Sequence, residues 1–239
     1  MNLFETLFQE LLLEGVGPIS KPGDIKRGTK NERRFDHIMQ NWEITSTPAS
    51  PQEDYIDHFD RHINQKPEDS TDLSFLFGSK KSLKVEVKGF KPGPKNSIMV
   101  ELIASGGRHP GWLYSKGDYI SFDFPSEKKL LFFNIPELRK YVESKGEFTV
   151  KSRGNNAQIV PTNPSRQILQ TRNPNEAFLN VAHNGKQYTI YYKRPLEYID
   201  GKPRGDDAVT YIPKDELMAH VDTIPVDYSF VEFPADLKA

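Results

Sequence analysis

Asp72–Gly89, D-L-S-F-L-F-G-S-K-K-S-L-K-V-E-V-K-G, reads as a β-hairpin. A short apolar run, Leu73–Phe77, meets a turn at Gly78-Ser79-Lys80-Lys81, and an alternating run follows from Leu83 to Lys88. With the turn centred between Ser79 and Lys80, Asp72 falls opposite Val87, one residue from both Glu86 and Lys88. Alternation along a strand puts Glu86 and Lys88 on one face, and Val85 and Val87 on the other. Two carboxylates and an ammonium then converge, a set suited to holding a divalent cation beside a phosphodiester. The plain alternative is a half-solvated strand, for which Val-Glu-Val-Lys alternation is ordinary.

The chain has 239 residues, of which 36% are hydrophobic, 27% charged and 11% aromatic, enough for one large domain or a core with an added module. Its 18 prolines and 16 glycines point to many turns and short elements rather than long helices. The net charge of −1 excludes a polycation, so nucleic-acid contact has to come from a local patch. Cysteine is absent, which removes disulfides, thiolate metal sites and thiol nucleophiles. The N-terminus lacks a basic n-region and carries Glu5, Glu10 and Glu14, unlike a signal peptide. With no apolar run of membrane-spanning length, the expectation is a soluble, cytoplasmic protein, in the host cytoplasm if the source is viral.

Outward from the hairpin, Leu3, Phe4, Leu7, Phe8, Leu11 and Leu12 share one helical face within residues 1–14, and Gly15 stops that helix. The stripe either covers the chain's own core or makes a homodimer. Residues 15–29 read as a linker, and 30–145 as the core, starting with a helix over 31–41 that carries Glu32. Trp42–Thr45 reads as a short strand. Further strands are expected at Ser97–Ala104, Tyr119–Phe124 and Lys129–Phe133, and a helix at Pro136–Glu143. Residues 146–239 form an extension packed on the core. Within it, Ala177–Val181 and Gln187–Tyr192 form a second hairpin, and a strand at Ala208–Ile212 precedes a helix started by Pro213 and ending near His220. The fold class expected is α/β, a mixed central sheet with flanking helices plus extra C-terminal β structure.

Lys80, Lys81, Lys84, Lys88, Lys91 and Lys95 lie within sixteen residues, with Glu86 the one acid among them. That is a basic face suited to phosphate, unless the lysines only protect a sheet edge. Arg108 and Lys116 extend it, and Trp112 and Tyr114 are candidates for base stacking, Trp112 more naturally for the core. Asp54, His58 and His62 have the spacing of ligands on one helical face, a weaker zinc signal without a third firm ligand. No glycine-rich phosphate loop is present.

Asp72 followed by Glu86-Val87-Lys88, with Glu32 on the preceding helix, resembles the PD-(D/E)XK nuclease superfamily. The Asp-to-Glu spacing is similar to that of its Holliday-junction resolvases. Gly111–Phe122 and Arg204–Pro213 look like segments of small phage-type proteins with this core. The resemblance implies a restriction-endonuclease-like core and a DNA endonuclease, with RNA a second candidate substrate, using Mg²⁺ or Mn²⁺. It implies Asp72 and Glu86 as metal ligands, Lys88 as catalytic cation, and Glu101 and Glu32 as further acids. Two departures stand out. Thr71 occupies the place of the motif's Pro, and D-Y-I-D-H-F-D (Asp54–Asp60) resembles the Asp-bearing segment of the phage-type proteins, making Asp60 a rival metal ligand. The shorter spacing to Glu86 favours Asp72.

Overall fold

A computed structural model describes residues 22–50, 53–54, 59–64, 74–89, 96–104, 109–153, 156–163, 169–170, 176–183, 186–193, 198–199, 202–203 and 207–238; the side chains of 22–27, 74, 153, 156 and 169–207 lie outside that description. The expected N-terminal helix, with the dimer contact assigned to it, falls outside the described residues.

The first element, α1 (Pro22–Asn41), starts well before residue 31, so the expected linker over 15–29 is partly helix. Pro22 suits a first helical turn, where its missing N–H costs nothing. Phe35, Ile38 and Met39 are buried at helical spacing. The helix ends where the Trp42 N–H donates to the Ile38 and Met39 carbonyls and Glu43 turns to φ +59°. The strand expected at 42–45 forms three residues later as β1 (Thr45–Pro48), paired antiparallel with β2 (Arg61–Asn64).

The decisive stretch is half strand and half helix. Ser74–Phe77 is a single helical turn, α2, that buries Leu76 and Phe77 and exposes Phe75. Gly78 at φ +55° closes it, as glycine commonly closes helices. The hairpin expected across residues 78–81 is therefore absent. Its second arm is a strand, β3 (Ser82–Gly89), whose antiparallel partner is β2, with Arg61 opposite Val85 and Asn64 opposite Ser82. On its other side β3 runs parallel to β6 (Tyr119–Phe124), with Glu86 opposite Ile120.

Two six-stranded sheets result. The first, mixed, has the order β1-β2-β3-β6-β7-β16, where β7 is Lys129–Asn134 and β16 is Thr223–Asp227. The second is antiparallel, in the order β10-β11-β12-β15-β4-β5. It contains β4 (Ser97–Ala104), β5 (His109–Pro110), β10 (Leu169–Gln170), β11 (Glu176–His183), β12 (Lys186–Lys193) and β15 (Asp207–Pro213). Two-stranded ribbons pair β8 (Phe148–Arg153) with β9 (Asn156–Pro161) and β13 (Tyr198–Ile199) with β14 (Lys202–Pro203). The chain is thus α/β, but β4 leaves the first sheet for the second. Strands from both sides of residue 145 share both sheets, so the expected boundary there separates no layer.

Helix α3 (Ile135–Gly146) is capped by the Asn134 side chain, which accepts from the Glu137 N–H at 3.1 Å. Helix α4 (Lys214–His220) follows Pro213 as expected. Leu83, Val85 and Val87 pack with Phe35 and Ile38 of α1 in one core. Ile120, Phe122 and Phe124 pack with Val100, Leu102, Ala208 and Ile212 of the second sheet in the other. The first sheet is therefore sandwiched between α1 and the second sheet. Among the described residues, no helix is long and apolar enough to cross a membrane.

Candidate functional site

Because Val85 and Val87 face α1, Glu86 and Lys88 face the second sheet. Burial there leaves Glu86 4% exposed. Lys88 Nζ forms an ion pair with Glu86 Oε1. Burial pushes the Glu86 carboxyl up to about 8, with Asp60 and Glu101 adding to the rise and Lys88 opposing it. Burial also works against the Lys88 ammonium, but Glu86, Asp60 and Glu101 outweigh it and hold Lys88 charged above its usual range.

Asp60 stands immediately before β2, and the sheet register brings it to the same place. Its N–H donates to the Val85 carbonyl at 3.0 Å, and its Oδ2 accepts from the Val87 N–H at 2.7 Å. Asp60 thus spans the two residues flanking Glu86, with its backbone N–H on Val85 and its carboxylate on Val87. Asp60, the rival ligand, is the acid the described residues bring beside Glu-x-Lys, because β2 is the antiparallel partner of β3. Asp72 itself lies outside the described residues.

Glu101 reaches the site from β4 in the second sheet. Gly111 crosses so near that a Cβ there would lie 2.5 Å from the Glu101 carbonyl oxygen. That approach lets the Gly111 N–H donate to the Leu102 carbonyl at 2.9 Å and the Trp112 N–H to Glu101 Oε2 at 3.3 Å. Glu32, on α1, accepts from Arg61 at 3.0 Å. Asp54 is nearby too: its surroundings, Asp60 and Glu32 raise its carboxyl, against Lys88 and Arg61. Sequence reasoning gave Asp54 to a zinc set and passed over Arg61. His62 sits on a strand, 3.2 Å from Glu53, so the helical spacing behind the zinc reading is absent, and His58 lies outside the described residues.

Three acids, Asp60, Glu86 and Glu101, share their field with one cation, Lys88. Burial first, and then the charges of Asp60 and Glu101, push the Glu86 carboxyl upward, and a divalent cation would offset the part due to charge. Among the described residues no three or more Asp, Glu or His side chains form a ready metal cage. The donor set fits Mg²⁺ or Mn²⁺ held by one or two carboxylates with water filling the remaining positions.

The basic face is only partly seen. Lys81 and Lys116 are exposed. Lys80 pairs with Asp118, and Lys84 Nζ lies 4.9 Å from the centre of the Phe59 ring. Lys91, Lys95 and Arg108 lie outside the described residues. Trp112 is 4% exposed and packs edge-on against Phe122, and the Tyr114 hydroxyl donates to Glu143 at 2.9 Å. Trp112 therefore serves the core rather than base stacking. Comparison of the chain with protein-family models, with curated proteins and with solved structures gives no match in any of the three.

Proposed function

We propose that this chain is a metal-dependent DNA endonuclease on a restriction-endonuclease-like core, hydrolysing phosphodiesters at Asp60, Glu86 and Lys88. The observation that carries the reading is the hydrogen bond from the Val87 N–H to Asp60 Oδ2, which holds one acid against the strand carrying Glu86 and Lys88. Asp60 and Glu86 would hold Mg²⁺ or Mn²⁺. When bound, such an ion neutralises charge at the phosphate and lowers the pKa of water in its shell.

The protein's own groups do the rest. Lys88, kept charged, donates to a phosphate oxygen and offsets the negative charge that grows during attack. It acts as a cation and orienting donor rather than as a base. Glu86 Oε1 accepts from the Lys88 ammonium and so sets it at the reacting face. Glu101, fixed by the Trp112 N–H, adds an acceptor for the attacking water from the second sheet. Exposed Lys81 and Lys116 contribute electrostatic attraction to the nucleic-acid backbone.

The test is nicking of supercoiled plasmid in Mg²⁺ or Mn²⁺ by wild type, Glu86→Gln and Lys88→Ala. Wild-type nicking that EDTA stops, with a loss of about a hundredfold or more in both variants, is the expected result. Plasmid binding without nicking would favour a non-catalytic nucleic-acid-binding protein on the same scaffold.

A further inference from the structure

Arg61 is a buried cation beside the site, 7% exposed, and each of its three guanidinium nitrogens has a partner. Nε donates to Asp36 Oδ1 at 2.9 Å and NH2 to Asp36 Oδ2 at 3.2 Å, a two-pronged grip on α1. NH2 also reaches Glu32 Oε2 at 3.0 Å. NH1 donates to the Asp60 carbonyl at 2.9 Å. The anchor is itself anchored, since the Ser46 hydroxyl donates to Asp36 Oδ1 at 2.7 Å.

From this geometry we infer that Arg61 is the positioning residue for Asp60, an inference that rests on the metal-site reading above. Asp60 stands one residue before its strand, where its backbone is held by hydrogen bonds to both neighbouring segments and by Arg61. Its backbone carbonyl accepts from Arg61 and from the Ala49 N–H at 2.9 Å. Its own N–H is spent on Val85. With both ends of the residue pinned, the carboxylate has one orientation, toward the Val87 N–H and the Glu86 side of β3. Arg61 does not contact phosphate, because its donors face α1 and the Asp60 backbone. It transmits the position of helix α1 to a metal ligand, which is how groups one bond behind a ligand tune affinity. Lysine substitutes only in part: its compact point charge can keep an acid but cannot span Asp36, Glu32 and a carbonyl together.

The experiment measures Mn²⁺ affinity by electron paramagnetic resonance of the free ion, on the full chain, for wild type, Arg61→Gln, Arg61→Lys and Arg34→Gln. Arg34 is also a buried arginine, and it donates to Asp123, the Leu237 carbonyl and the Tyr228 hydroxyl, so its loss reports destabilisation alone. Expected are a wild-type Mn²⁺ site, a loss of about tenfold or more in affinity for Arg61→Gln, an intermediate loss for Arg61→Lys, and no change for Arg34→Gln. If Arg61→Gln fails to fold, Asp36→Asn, which loosens the guanidinium, takes its place with a several-fold loss expected. Folded Arg61 variants that bind Mn²⁺ like wild type, or an equal loss in Arg34→Gln, overturn the positioning role and leave the nuclease reading standing. A wild type without Mn²⁺ affinity overturns that reading, and the inference with it.

Discussion

Glu86 concentrates the chemistry because it cannot be charged cheaply. Its carboxyl is pushed up from the ordinary 4.5 to about 8, chiefly by burial and then by Asp60 and Glu101. The folded protein therefore keeps a proton that the unfolded chain releases near pH 4.5. Stability from this group is complete below pH 4.5, declines as pH rises toward 8, and is lost above it. Urea midpoints of metal-free wild type and Glu86→Gln, taken at pH 5.5 and 7.5, test this. Wild type is expected to lose on the order of 1 kcal/mol per pH unit relative to the variant, one proton being worth about 1.4 kcal/mol per unit. Parallel pH profiles would remove the buried-acid argument. The same residue was legible in the sequence, since Val-Glu-Val-Lys alternation alone assigns its face. Asp60 was legible only as a rival, because the spacing argument assumed a tight hairpin and the fold inserts α2 between β2 and β3 instead.

Elements position these residues through two close approaches. One is β2 against β3, which delivers Asp60. The other is the turn at Gly111 against β4, which delivers the Trp112 N–H to Glu101. Gly111→Ala puts a methyl 2.5 Å from the Glu101 carbonyl oxygen and 2.6 Å from its carbon, both rigid backbone. Thermal or urea unfolding should show a loss of about 1–3 kcal/mol, with nicking falling along with it as Glu101 loses its donor. Wild-type stability in that variant would mean the turn can move aside freely. Several strands could be located from their alternation: β4 and β6 coincide with the expected ranges, and the helix expected at Pro136–Glu143 lies within α3. Ser74–Phe77 could not be classified this way, because a short apolar run satisfies a buried strand and a single helical turn equally. Gly78 served as a helix terminator where a hairpin turn was expected.

On the scale of the whole molecule, strands distant in sequence complete both sheets: β15 pairs with β4 and β16 with β7. Such order is hidden from periodicity, which reports a strand's face and not its neighbour. The final residues then return to α1. Arg34 donates to Asp123 Oδ2 at 2.6 Å and to the Leu237 carbonyl, and its guanidinium carbon lies 4.1 Å from the centre of the Phe233 ring. Tyr228 donates to the other Asp123 oxygen. Asp123→Ala strands a buried guanidinium and should cost about 3–5 kcal/mol in urea unfolding. A cost under about 1 kcal/mol would mean the C-terminal segment does not close the first sheet as described.

Asp60 and Asp72 divide the hypotheses most sharply. Plasmid nicking in Mg²⁺ by wild type, Asp60→Asn and Asp72→Asn, with plasmid binding measured alongside, distinguishes them. With Asp60 as the ligand beside Glu86 and Lys88, Asp60→Asn loses about a hundredfold or more in nicking while binding plasmid normally, and Asp72→Asn nicks like wild type. Full nicking by Asp60→Asn, or its loss in Asp72→Asn alone, would contradict the site built on the Val87 N–H.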